Sequence, residues 1–146
     1  MSNQDIVNEW LKIAYEDYYA ASSLYELKYR KPLEIICYHC QQSVEKSLKG
    51  FLCAKDTDVP KTHDNSLLCR LCFKLDEAFS EFFDSCEEID HYATGTRYPN
   101  RIEIQEPIVI RALQQALAVY EFVSERIRQS QKTKKKASQK GKGAEM

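Results

Sequence analysis

Two CxxC pairs, Cys37 with Cys40 and Cys69 with Cys72, are the first residues whose spacing suggests chemistry, because paired thiolates so placed can form half of a tetrahedral zinc site. Such pairs bind zinc from turns that aim both sulfurs at one ion. Here each pair falls inside a segment of helical periodicity, on or beside its apolar side. Free cysteine is a common small core residue, so packing is the expected role, and neither a metal nor a cofactor is expected. His39, His63 and His91 are dispersed, and none has a second ligand at metalloprotease spacing. Glu87, Glu88 and Asp90 are expected to form a solvated helix face rather than acids poised for proton transfer. No GxGxxG, GxSxG or phosphate-binding glycine loop occurs, which removes the familiar nucleotide-hydrolase and esterase signals.

Two other groupings say more. Glu45 stands four residues before Lys49, the favourable order for an ion pair on a helix surface, worth a few tenths of a kcal/mol. Tyr38, Gln42 and Lys46 share that polar stripe. The second grouping is Thr96, Arg97, Tyr98 and Pro99, with Arg101 close behind, in an irregular stretch. A guanidinium can meet a phosphate there while a phenol ring held by proline stacks on a base. The plainer alternative has Arg97 capping the preceding helix or pairing with Glu88 or Glu103. His63 lies in the turn Thr62, His63, Asp64, where a structural hydrogen bond to a neighbouring helix and a ligand contact are equally expected. His91 near the end of a helix suits a cap on the last carbonyls.

The elements that position these residues are helical. Four Gly and four Pro in 146 residues are too few for a turn-rich β architecture, and 43% hydrophobic with 29% charged residues fits one globular domain. Apolar residues recur at helical spacing from Asn3 to about Tyr29, with Tyr15, Tyr18, Tyr19, Tyr25 and Tyr29 crowding that helix and small Ala20 and Ala21 permitting close approach. Pro32 suits the first turn of a second helix carrying IICYHCQQSVEKSLKGFLC, which has Ile36, Cys40, Val44, Ser47 and Phe51 on its core side. A short third helix from Asn65 to about Phe73, a fourth from about Leu75 to Tyr92, and a last from Pro107 to about Gln129 complete the set. The expected architecture is all-α, an antiparallel up-and-down bundle of four long helices plus one short helix.

The bundle is expected to occupy residues 1–130, followed by a disordered lysine-rich tail at 131–146. That tail holds six Lys against one Glu, so the net charge of −1 divides into +5 for the tail and −6 for the rest. An acidic body argues against broad duplex binding, while the tail is expected to act as a solvated extension. No run approaches a membrane span, and the first residues lack the regions of a signal peptide, so a cytoplasmic protein without membrane association is expected.

Several of these segments together resemble the HEPN domain, a family named as a nucleotide-binding domain of higher eukaryotes and prokaryotes. The carriers are Trp10, Ala14, Asp17, Ala20 and Leu24 in the first helix, and CQQSVEKSLKGFL in the second, similar to the family's QQ-x-x-EK-x-LK. The Thr62, His63, Asp64 turn and the segment from Tyr92 through Arg97, Tyr98 and Pro99 complete them, and the resemblance spans Trp10 to Arg128. It implies a bundle of four to five helices, commonly a homodimer, often encoded beside a minimal nucleotidyltransferase and frequently part of a toxin–antitoxin module. Ribonuclease members carry an Arg followed four to six residues later by His. Only Arg30 and Arg70 precede His91, and no histidine here has an Arg at that distance.

The resemblance therefore implies a binding module rather than an enzyme. Its ligand would be a nucleotide such as ATP, a minimal nucleotidyltransferase, or both, held through Lys49, Arg97 and Tyr98 with His63 at the margin and Glu45 orienting Lys49. Two alternatives stand beside it. One is a toxin-type ribonuclease with a non-standard site, such as His91 with Arg97 across a dimer, which would make RNA a partner. The other is an antitoxin-like cap that occludes its partner through the tyrosine-rich first helix.

Overall fold

The computed structural model describes residues 1–95 and 103–144, with side chains for 1–93 and 103–138. Five helices follow in order: α1 Asn3–Tyr25, α2 Leu33–Ala54, α3 Asn65–Leu75, α4 Phe83–Gly95 and α5 Glu106–Ala144, with a 3₁₀ turn Glu77–Phe82 between α3 and α4. Among the described residues there is no strand.

Local chemistry sets the boundaries. Ser2 and Asp5 form a capping box at the start of α1, each side chain accepting the other residue's amide at 3.1 and 3.0 Å. The same helix stops at Tyr25, before the expected Tyr29, because Lys31 folds back and donates to the Tyr25 carbonyl at 2.6 Å with its ammonium 4.0 Å from the Tyr25 ring. Arg30 then turns the chain with a φ of 49°. The expected fourth helix is divided: Asp76 is extended, its carboxylate accepts from the Ala78 amide, and a 3₁₀ turn precedes a shorter α4.

α2 is the central element, packed against α1, α3, α4 and α5. Its contact with α1 is close because small groups line it: Ala14 and Ala21 are fully buried, Ser43 donates to the Ala14 carbonyl at 2.8 Å, and Gly50 brings the Trp10 Cβ within 3.1 Å of where a methyl would stand. On its other flank Phe51 and Phe79 meet at 4.5 Å, and Phe79, Phe82 and Phe122 pack edge-on or tilted at 5.0–6.4 Å. Val109, Ala112, Ala116, Val119, Val123 and Ile127 supply the core face of α5. All six cysteines are buried. Burial pushes the Cys37 thiol up to about 11 and raises Cys40 and Cys72 as well, so these sulfurs act as apolar filling.

α5 continues as far as Ala144, since residues 131 to 140 contain neither Gly nor Pro to stop it. Among the described side chains the last buried one is Ile127, and residues 132–138 are exposed. One further expectation changes, and it concerns the polar stripe of α2. Glu45 is 0% exposed and Lys49 6%, because neighbouring elements cover that side of the helix too.

Candidate functional site

Glu45 is the hub. Its carboxylate accepts from Lys46 at 3.1 Å and Lys49 at 3.2 Å through one oxygen, and from His63 Nδ1 at 2.9 Å through the other. Burial alone would raise its pKa, but the hydrogen bonds from His63, Lys46 and Lys49 outweigh that and hold it below the usual carboxylate value. The pair expected at the surface is instead internal. Lys49 lies with its ammonium 6.0 Å from the Trp10 ring and committed to Glu45, so it is a structural cation rather than one free to meet a phosphate.

His63 faces the other way. Its Nδ1 donates to Glu45 while the side chain is 82% exposed, which leaves Nε2 directed to solvent. The loop that carries it is held by Gln41, whose side chain donates to the His63 carbonyl at 3.2 Å. Asn65 continues the network, donating its side-chain amide to the Gln41 carbonyl at 3.2 Å and to Asp90 at 3.0 Å. Asp90, from α4, also accepts the Asn65 and Ser66 amides at 2.7 and 3.3 Å, while Asp64 accepts from Leu67 at 3.0 Å, so two carboxylates cap the start of α3. Burial raises the Asp90 pKa, with the two amide bonds opposing. Asp90 is thus a joint between α3 and α4 and not part of a solvated face. Glu88 does lie outside, paired with Arg111 at 2.8 Å, and Glu87 is exposed.

These elements wall a groove of about 780 Å³ lined by His63, Asp64, Arg70, Glu87, Asp90 and His91, with Gln41 and Ser66 at its floor and lip. Three carboxylates face one guanidinium and two imidazoles, which makes the groove acidic. Glu45 and Lys49 lie outside its lining, and His63 links it to the buried pair. His91 is exposed and lines the groove. Arg97 and Tyr98 lie outside the described residues; in sequence they come two and three residues after the end of α4 at Gly95.

A second carboxylate–imidazole pair, Asp17 with His39 at 3.0 Å, ties α1 to α2 at a half-buried position. Asp17 appears in the sequence as a polar interruption of an apolar period, which is the signal that could have marked it. Gln41, Asn65 and Asp90 gave less warning, since each works through a partner from another element. Among the described residues no group of three or more His, Cys, Asp or Glu is arranged to hold a metal ion. No helix among them is long and apolar enough to cross a membrane.

Comparison with known proteins agrees with this architecture. The model of the HEPN domain matches residues 7–127. The crystal structure of ST0689, an archaeal HEPN homologue, superposes with a TM-score of 0.64 at 23% identity, covering 83% of this chain and 97% of that one. No curated protein matches the chain.

Proposed function

Because the chain belongs to the HEPN domain family, matched over residues 7–127, we propose that it is a binding module that docks a minimal nucleotidyltransferase and the nucleotide that enzyme handles, as one half of a toxin–antitoxin pair and as a homodimer. The observation that carries this reading is the groove between α2, α3 and α4, whose wall is fixed by the Glu45–His63 and Asn65–Asp90 bonds. A preorganised wall lowers the ordering cost of association. Its acidic lining favours a basic protein surface over a free anion, so the partner protein occupies the groove and the phosphates fall to Arg97 and Tyr98.

The test has two arms. ATP titrated calorimetrically into the full chain should bind, and Arg97→Ala should weaken binding about tenfold, the scale of losing one charge-assisted phosphate contact. Unchanged affinity would remove Arg97 from the site. Co-expression with a small nucleotidyltransferase encoded beside this chain should yield a complex that His63→Ala loosens; a partner that binds both forms alike is not held by this groove.

A second reading, the toxin-type ribonuclease, is favoured by one specific observation: two imidazoles, His63 and His91, share the groove, and His63 is held by a carboxylate in the manner of a general base. Three carboxylates around them oppose an RNA backbone. Degradation of a defined RNA that disappears in His63→Ala and in His91→Ala would replace the binding reading with this one.

A further inference from the structure

The tyrosines of α1 and the lysines of the α5 extension lie along one α1–α5 seam, on elements other than those that wall the groove just described. A cleft of about 520 Å³ between the start of α1 and the far part of α5 is lined by Gln4, Asn8, Arg128, Lys132, Lys134 and Lys135, with Gln131 between them. Among the described residues four cations and three side-chain amides line it, and no carboxylate does. Glu125 is an acidic neighbour at its edge, taking two hydrogen bonds from Arg128.

Along α1, Gln4, Asn8, Tyr15 and Tyr19 fall within one sector of the helix at 100° per residue, with exposed Lys12 beside them. Tyr15 stacks on Tyr19 at 6.4 Å and reaches across to Tyr120 of α5 at 5.5 Å. Tyr15 is 45% and Tyr19 62% exposed, so ring faces are left for a ligand. From Gln4 to Tyr19 the strip extends about 22 Å at 1.5 Å per residue. One end is cationic and rich in amides, and the other is aromatic.

We infer that this α1–α5 strip binds single-stranded nucleic acid, its phosphates along Arg128, Lys132, Lys134 and Lys135 and its bases on Tyr15 and Tyr19. A cationic track beside rings that stack without regard to sequence is the physical requirement for such a ligand. The charge balance supports the assignment, because the segment from 131 carries +5 and the rest of the chain −6, which confines a polyanion to this end. The inference does not rest on the partner groove, which lies on other elements.

A fluorescein-labelled single-stranded oligonucleotide titrated with the full chain at several salt concentrations tests it by anisotropy. Affinity should fall with rising salt, and replacing Lys132, Lys134 and Lys135 together by Ala should reduce the log–log slope by about 2, at about 0.7 per phosphate contact. Tyr19→Ala should weaken binding about tenfold with the slope unchanged, as loss of stacking predicts. Lys61→Ala, an exposed cation elsewhere, should leave the affinity as it was.

Absence of binding at low salt overturns the inference. So does equal affinity for a duplex of the same length with Tyr19→Ala silent, which would leave only a polycation. Stronger binding to vesicles of anionic lipid than to the oligonucleotide, or a shift in oligomeric state as the sole effect of Tyr19→Ala, would give the strip to a membrane surface or to a second copy of the chain instead.

Discussion

The middle of α2 and the far part of α5 use the same residue types to opposite effect. Around Glu45 the charges are enclosed: one carboxylate takes three donors, Lys49 is covered, and Lys46 in part and His63 in the main reach solvent. Around Arg128 the charges are open: Glu125 and Arg128 pair on the surface, and Lys132, Lys134, Lys135 and Lys136 stand exposed with no core beneath them. Enclosed charges cannot be recruited by a ligand without exposing an unpaired partner, so their energy goes into the shape of the fold. Open charges contribute little to stability and remain available. The contrast separates residues whose loss unfolds the protein from residues whose loss changes only what it binds.

The comparison breaks most visibly at its hub. Glu45→Ala leaves Lys49 buried beside Trp10 without a counter-charge, and breaking a buried pair in this way costs about 3–5 kcal/mol. Urea unfolding followed by circular dichroism should show a large fall in midpoint at constant slope; a shift as small as that of a surface pair would mean the cluster is hydrated after all. Gly50→Ala comes next. Its new methyl would stand 3.1 Å from the Trp10 Cβ, so α1 must give by a few tenths of an ångström at that contact. An overpacked contact of this kind costs about 1–3 kcal/mol. A wild-type melting temperature in this variant would show that the two helices have room to part.

How far the sequence reveals these two regions follows from what each depends on. Helical periodicity exposes the core faces of α2 and α5, because Ile36, Cys40, Val44 and Phe51, or Val109, Ala116 and Val123, are selected by burial alone. The same periodicity places Glu45 and Lys49 on a polar stripe and therefore at the surface. It fails there because a helix packed on several sides has no solvent face, and a single sequence does not show how many neighbours a helix has. His63 is marked by its turn and its position among Thr62, Asp64 and Asn65, which are residues of a helix start. Its bond to Glu45 is not marked, since eighteen residues separate them and only the fold closes the distance. Asp90 is misplaced for the same reason: beside Glu87 and Glu88 it looks like one of a solvated group, while its partners are the amides of another helix. The division at Asp76 is a local event, an extended residue with a capping carboxylate, inside a segment whose apolar residues continue a helical period.

Titration sharpens the comparison further. The folded pKa of Glu45 lies below its unfolded value, so its contribution to stability is present above the unfolded carboxylate range and is lost as pH falls through the folded pKa. Asp90 runs the other way: its folded pKa is raised, so its contribution is fullest below the unfolded value and is lost as pH rises through the folded one. Urea midpoints measured from neutral pH down through the carboxylate range should fall for the wild type and fall less for Glu45→Gln. Parallel curves would show that the enclosed carboxylate does not titrate with unfolding. The Arg128 hydrogen bonds lower the folded pKa of Glu125 as well, so the comparison with Glu45→Gln, which leaves that surface pair intact, is what isolates the enclosed carboxylate.

The smallest expected change belongs to the open end and is the most discriminating. Ending the chain after Ser130 removes the lysines from 132 onward while keeping every residue that is buried among those described, the last of which is Ile127. One interhelical bond, from Lys55 to the Ser130 hydroxyl, keeps both of its partners. Surface changes away from caps and cores stay within about 0.5 kcal/mol, so the melting temperature of the shortened chain should match the full one within a degree or two. Oligonucleotide binding should nevertheless weaken and its salt slope fall by at least the value of about 2 expected of the triple alanine variant, since three of the four cleft cations are gone. If the shortened chain instead melts much earlier, the extension is part of the bundle, the domain does not end near residue 130, and the division between enclosed and open charge fails where it is drawn most sharply.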